Sequence, residues 1–163
     1  MHLQVFSSPV LSVTITTFFI GIVVPLQAQE NADAEQSAAT FVEPAAKTIE
    51  NGLVFLADEQ QADGAFGSNG YGRNVAVVGL AGMAFLGSGS TPDRGPYGKE
   101  VSLCVDFLIK NTQESGFIME HGSTSHGPMY GHGFATMFLA EAYGMSPRDD
   151  LRDKLSKAVN LIV

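Results

Sequence analysis

His126–Gly144 reads HGPMYGHGFATMFLAEAYG. From Phe134 onward it predicts a helix that is apolar nearly all round: Phe134, Ala135, Met137, Phe138, Leu139, Ala140 and Ala142. A helix of that kind is expected to have neighbours on every side. The stretch also has an echo. Shifted back 54 residues, GFATMFLA (Gly133–Ala140) falls on GLAGMAFL (Gly79–Leu86), so Gly133 meets Gly79, Ala135 meets Ala81 and Met137 meets Met83. Self-similarity at a fixed period sets the fold expectation before local detail does.

Working outward, Val75–Leu86 is a second inner helix without one polar side chain, too short to span a bilayer. Its residues Gly79, Ala81, Gly82 and Ala84 leave room for a neighbouring backbone to come close. Three amphipathic helices alternate with these two. The first starts near Pro44, which suits a first-turn position. It recurs at helical spacing through Ala45, Ile49, Leu53, Leu56 and Gln60. It ends in a turn forced by Asp63-Gly64. The next, about Lys99–Asn111, puts Val101, Cys104, Val105, Leu108 and Ile109 on one face. The last is expected to open on Ser146 as N-cap, with Pro147 in the first turn and Asp149 completing a capping box. Leu151, Leu155, Ala158, Val159 and Ile162 form its apolar face. The order is outer–inner, outer–inner, outer: an all-α chain of about two and a half helix-pair repeats.

Residues 1–28 read as an export signal. Val10–Val24 is a mostly apolar core, Pro25 breaks it, and Leu26-Gln27-Ala28 offers a small residue at the cleavage point. The rival is an uncleaved anchor, for which the run is short. Gln29–Glu43 is an acidic, Ala-rich tether with little to bury. The repeat domain is 44–163. Net charge is −8 and the pI about 4.8, which argues against nucleic acid or an anionic membrane surface as the main partner. No membrane span is expected in the mature chain. The one cysteine, Cys104, reads as a buried thiol rather than a nucleophile, since no base accompanies it.

The helix pairs resemble the repeats of the terpenoid cyclase and protein prenyltransferase superfamily. The squalene cyclase repeat runs roughly Gly-x2-aromatic-Leu-x3-Gln-x3-Gly-x-Trp. Gly52, Phe55, Leu56, Gln60, Gly64 and Phe66 fall at those spacings, with Phe66 in place of Trp. A looser second copy is Phe107, Leu108, Gln113, Gly116 and Ile118, with one residue inserted. The resemblance covers about Pro44 to Val163. It implies an α/α toroid, two concentric rings of helices around an apolar cavity. Two and a half units cannot close that ring, so an incomplete toroid is expected, with self-association through its open edges. The acidic D-x-D-D motif of the squalene cyclases is absent, and the Asp, Cys and His zinc ligands of the prenyltransferases have no recognisable counterparts.

Other candidate sites are weighed residue by residue. Asp149-Asp150-Leu151-Arg152-Asp153 spells D-D-x-x-D, a magnesium-diphosphate pattern elsewhere; in the first turn of a helix its carboxylates favour the N-terminus instead. His121, His126 and His132 could hold zinc, but their spacing matches no zinc motif. His132, Thr136 and Tyr143 share a helical face, which suits either a structural hydrogen-bond network or a polar spot on a cavity wall with Tyr130. Phe85, Phe134 and Phe138 would supply apolar wall. Gly67–Gly72 lacks the lysine of a phosphate loop. No cofactor and no metal are expected.

Two function classes follow. One is an enzyme acting on isoprenoid-like or other apolar substrates, with its acid outside this chain. The other is an exported, non-catalytic scaffold that binds a lipid, a glycan or a protein. The absence of tryptophan counts against the cyclase reading. Export makes the first testable statement: N-terminal sequencing of the secreted protein should begin at or near Gln29. An intact Met1 on a soluble cytoplasmic product would exclude it.

Overall fold

The computed structural model describes residues 26–67, 71–121, 127–146 and 148–163, with the backbone alone for 26–41 and 43. The expected signal core, His126 and Pro147 lie outside the described residues. Five helices and no strands are found among the described residues: α1 (Leu26–Glu59), α2 (Val75–Gly87), α3 (Gly98–Lys110), α4 (Pro128–Met145) and α5 (Asp149–Asn160). The chain falls into two units, 1–42 and 43–163. Of the first, the description is nearly confined to the helical backbone that begins at Leu26. The second holds everything that follows.

Two helix boundaries differ from expectation. The first helix begins at Leu26, and Pro44 lies inside it. Proline usually marks a helix start because it lacks an N–H. Here the Ala-rich stretch ahead of it, with Ala32, Ala34, Ala38 and Ala39, has high intrinsic helix propensity and takes up helical backbone. Ser146 closes α4 rather than opening α5: its N–H donates to the Ala142 carbonyl, and Arg148 is the N-cap of α5 without a side-chain cap. Arg148 instead pairs with Asp106 on α3 and Asp150, both at 2.7 Å, tying the start of α5 to α3.

The core is α2 against α4, backed by α3 and α5. Asn74 caps α2 through its side chain, which accepts from the Ala76 N–H at 2.8 Å. The small residues then act as expected. A Cβ on Gly79 would sit 3.0 Å from the Phe134 carbonyl oxygen and 3.2 Å from the Ala135 Cα. One on Gly82 would overlap the Phe138 ring, and Gly131 of α4 packs against Val75. Phe85, Phe107 and Phe138 are fully buried, each burial being favourable by about 1.5–3 kcal/mol. Of the expected apolar face of α3, Val101, Cys104, Val105 and Leu108 are buried, and Phe107 with them, while Ile109 is partly buried.

Phe85 and Phe138 are thus core rather than cavity wall. Nor is α4 covered all round: Phe134 is 38% and Met137 44% exposed. The C-terminal end of α1 engages the core. Leu53 is buried, Leu56 packs against the core, and Ile49 is exposed. The Gln60 amide donates to the Glu100 carbonyl at 3.1 Å and to Cys104 Sγ at 3.3 Å.

The loops after α1 and α3 share one geometry. The Gln61 N–H donates to the Ala65 carbonyl and the Gly64 N–H to the Gln61 carbonyl, both 2.9 Å. Exactly 52 residues on would be Gln113, Phe117 and Gly116, and there the same two bonds recur at the same 2.9 Å. The Ala65 N–H is held by the Asp63 side chain and the Phe117 N–H by Ser115, both at 3.3 Å. Gly64 and Gly116 have φ of 88° and 92°, the left-handed region that glycine enters without penalty. Each presses on the backbone of a later helix, Gly64 on α3 at Leu103 and Gly116 on α5 at Lys157. The counterpart of Gln113 is therefore Gln61, not Gln60, and no residue is inserted between the copies. Phe66 and Ile118, the last motif positions, are both buried. A Cβ on Gly52 would meet nothing within 4 Å among the described residues and Phe55 is 63% exposed, so the first two motif positions carry little packing in copy one.

The glycine contacts make a paired prediction. Gly79→Ala should destabilise, because the Phe134 carbonyl must move. Gly133, its counterpart 54 residues on, has nothing within 4 Å, so Gly133→Ala in dilute protein should stabilise by about 0.5–1 kcal/mol. Urea melts of the two variants check both signs.

Candidate functional site

The four residues proposed to line a cavity go to different places. Tyr130 is 77% exposed in the first turn of α4. Tyr143, near the other end, is partly buried against the core. Thr136 is buried, and its hydroxyl finds no hydrogen-bond partner among the described residues. His132 is fully buried and bridges three segments. The Ile118 N–H donates to His132 Nδ1 at 3.2 Å, which leaves Nε2 to carry the proton and donate to the Ala158 carbonyl at 3.1 Å. The Phe117 ring lies against the imidazole, centroids 5.2 Å apart. His132 therefore holds the loop after α3 to the C-terminal part of α5. Of the two readings of that helical face, the hydrogen-bond network describes His132.

The other reactive side chains are also engaged. Cys104 is fully buried, and burial pushes its thiol up to about 12; a thiol so rarely ionised is a poor nucleophile. Asp150 of the D-D-x-x-D segment is held by Arg148, whose guanidinium lowers its carboxyl below the ordinary value. Arg73, itself at φ 60°, pairs with Asp63 at 2.8 Å and Glu120 at 3.4 Å and lies over the Phe107 ring. That pairing holds the Asp63 carboxyl down. Among the described residues no group of three His, Cys, Asp or Glu is placed to hold a metal.

Among the charged groups of the surface, α2 and α4 also expose apolar side chains. On α4, Tyr130, Phe134 and Met137 follow one another at helical spacing and are all exposed. On α2, Leu80 is 47% exposed and Met83 is partly so. Leu80 and Met83 are the counterparts of Phe134 and Met137, 54 residues earlier. The same outward stripe is thus present on two helices that touch. Sequence reasoning placed these residues on all-round apolar helices; comparing the two copies for positions never covered in either is the signal that would have found the stripe. No helix among the described residues is long and apolar enough to cross a membrane.

Comparison with family models, with curated proteins and with solved structures returns no match for this chain.

His132 generates the prediction here. Burial lowers its pKa from the ordinary value near 6.5. The unfolded chain then takes up the proton first as pH falls, so the stability contributed by neutral His132 is complete above about pH 6.5 and is lost below it. Thermal melts from pH 8 to 5 should fall, and His132→Leu should flatten that part of the profile. The same variant should cost about 1–3 kcal/mol at pH 8, because the Ile118 N–H loses its acceptor while the Ala158 carbonyl keeps the Leu161 N–H.

Proposed function

We propose that this chain is an exported helix-pair repeat protein of the α/α-toroid type that binds an apolar, isoprenoid-like ligand without acting on it. The observation that carries this reading is the shared stripe: Leu80 and Met83 on α2, Phe134 and Met137 on α4, outward in both copies. Positions covered in neither copy form a surface that survives when helices pack side by side. Apolar side chains exposed in this way on neighbouring helices are what a binding surface for an apolar ligand requires. The toroid reading rests on the recurring Gln-x2-Gly turn, which docks each loop on the next outer helix, and on the resemblance to squalene cyclase repeats. The scaffold class is favoured over the enzyme because His132 and Cys104 are occupied in structural contacts. The acidic balance of the chain points away from nucleic acid.

The test is calorimetric titration of the protein with dispersed geranylgeraniol. Binding should be saturable. Leu80→Glu and Met137→Glu should each weaken it at least tenfold, about 1.4 kcal/mol, with melting curves unchanged because both side chains already face solvent. Absence of saturable binding, or binding indifferent to both substitutions, would remove the ligand reading.

A further inference from the structure

The loops after α1 and α3 are alike in their turn hydrogen bonds but are held by different chemistry. Gly64 rests on α3 at Leu103 and Gly116 on α5 at Lys157, the loop positions being 52 residues apart and the helix positions 54. The place that His132 takes on α4 is taken on α2, 54 residues earlier, by Val78, which is also fully buried. Ala158, whose carbonyl accepts from His132, corresponds in the same way to Cys104. At the first joint the Gln60 amide donates to the Glu100 carbonyl and to Cys104 Sγ, and burial pushes that thiol up to about 12. Only the second joint contains an imidazole.

That joint needs one proton form of His132. Nδ1 accepts from the Ile118 N–H at 3.2 Å, and Nε2 donates to the Ala158 carbonyl at 3.1 Å. An imidazolium carries a proton on both nitrogens. Its Nε2 keeps the Ala158 carbonyl, but its Nδ1–H is aimed at the Ile118 N–H, donor against donor. The loop is the side that must yield. We infer that Gln113–Ile118 is an acid-released flap: protonation of His132 unseats it from α4 and α5, while the matching loop, Gln61–Phe66, stays in place. On release Phe117 leaves the imidazole ring, Gly116 leaves Lys157, and the fully buried Ile118 meets water. The start of α5 stays tied to α3 through Arg148 and Asp106.

The charged groups on the surrounding elements are engaged elsewhere or face solvent. On the loop, Glu114 is exposed and reaches Lys157 at 3.9 Å, Glu120 pairs with Arg73, and His121 is exposed. On α5, Lys154 donates to the Ile109 and Thr112 carbonyls, and Arg152 and Asp153 are exposed. On α3, Asp106 pairs with Arg148 and Lys110 is exposed. Glu141 of α4 is exposed, and α2 has no polar side chain. What acts on the imidazole is burial first and the Ala158 carbonyl second. Charging it therefore favours the open loop, where water solvates the cation.

Hydrogen exchange of the full chain tests this, because the two loops carry matched probes. The Gln61 and Gln113 N–H groups, and those of Gly64 and Gly116, are bonded alike at 2.9 Å. Protection, corrected for the intrinsic pH dependence of exchange, should fall about tenfold in residues 113–119 between about pH 7.5 and 5.5, the shift expected of a group that titrates near 6.5 once released. Residues 61–67 should keep theirs. His132→Asn puts an amide in the ring's place, whose oxygen can accept from Ile118 without titrating, so its loop should show no loss with acid. Should that variant not fold, the imidazole nitrogen shifts of the wild type decide: the His132 titration must coincide with loss of the Ile118 N–H signal. Equal loss in both loops would mean that the whole helical array opens, and would overturn the inference. So would a second loop indifferent to acid, or an asparagine variant that still loses protection, which would move the control to Glu114, Glu120 or His121.

Discussion

The approach of α2 to α4 at Gly79 sets the distance on which the remaining packing depends. The Phe134 carbonyl occupies the space a side chain would fill. With the two helix axes that close, Phe138 slides over Gly82 and Val75 reaches Gly131. The Phe138 ring thus fills the seam itself, while Phe85 stacks on Tyr97 beside α3. That is why Phe85, Phe107 and Phe138 can all be fully buried in so short an array. Close packing supplies the stability that α2, which has no polar side chain, could not obtain from side-chain hydrogen bonds to α4.

α1, α3 and α5 add polar contacts to their buried apolar faces. Gln60 reaches across to α3, Lys154 donates to the Ile109 and Thr112 carbonyls, and Arg148 joins α5 to Asp106. The exposed ion pairs are worth little singly. Buried His132 counts for more, since its two ring nitrogens satisfy backbone groups on different segments. A single imidazole in this position makes the loop after α3 and the end of α5 one structural piece.

How much of this was legible depended on which force acted. Helices α2, α3 and α4 were readable because unbroken apolar runs and a clean amphipathic period have few other solutions. The small residues of α2 announced a close approach. The limits of α1 and α5 were not readable. Proline suggested a start at 44 where alanine propensity prevailed, and a serine that fits an N-cap serves the preceding helix. The register of the turn motif was misread by one residue, because Gln60 and Gln61 are chemically identical and only the hydrogen bonds distinguish them. The surroundings of His132 were unreadable for a different reason. Residues on one helical face share a direction, but what stands opposite comes from other elements. Ile118 and Ala158, which claim His132, lie 14 and 26 residues from it.

The two glycine turns have a consequence for how such a chain could be cut or joined. Gly64 rests on the backbone of α3 and Gly116 on that of α5. Each loop is therefore completed by a helix that belongs to the following sequence copy. The unit that repeats and the unit that holds together are out of phase. A duplication or excision made at the sequence boundary, just after an inner helix, would leave the preceding turn without its floor. One made so as to keep a turn with the outer helix beneath it would carry an intact joint into the new context. Growth or loss of units in a chain of this kind is thus expected to be tolerated at some breakpoints and refused at others only a helix away.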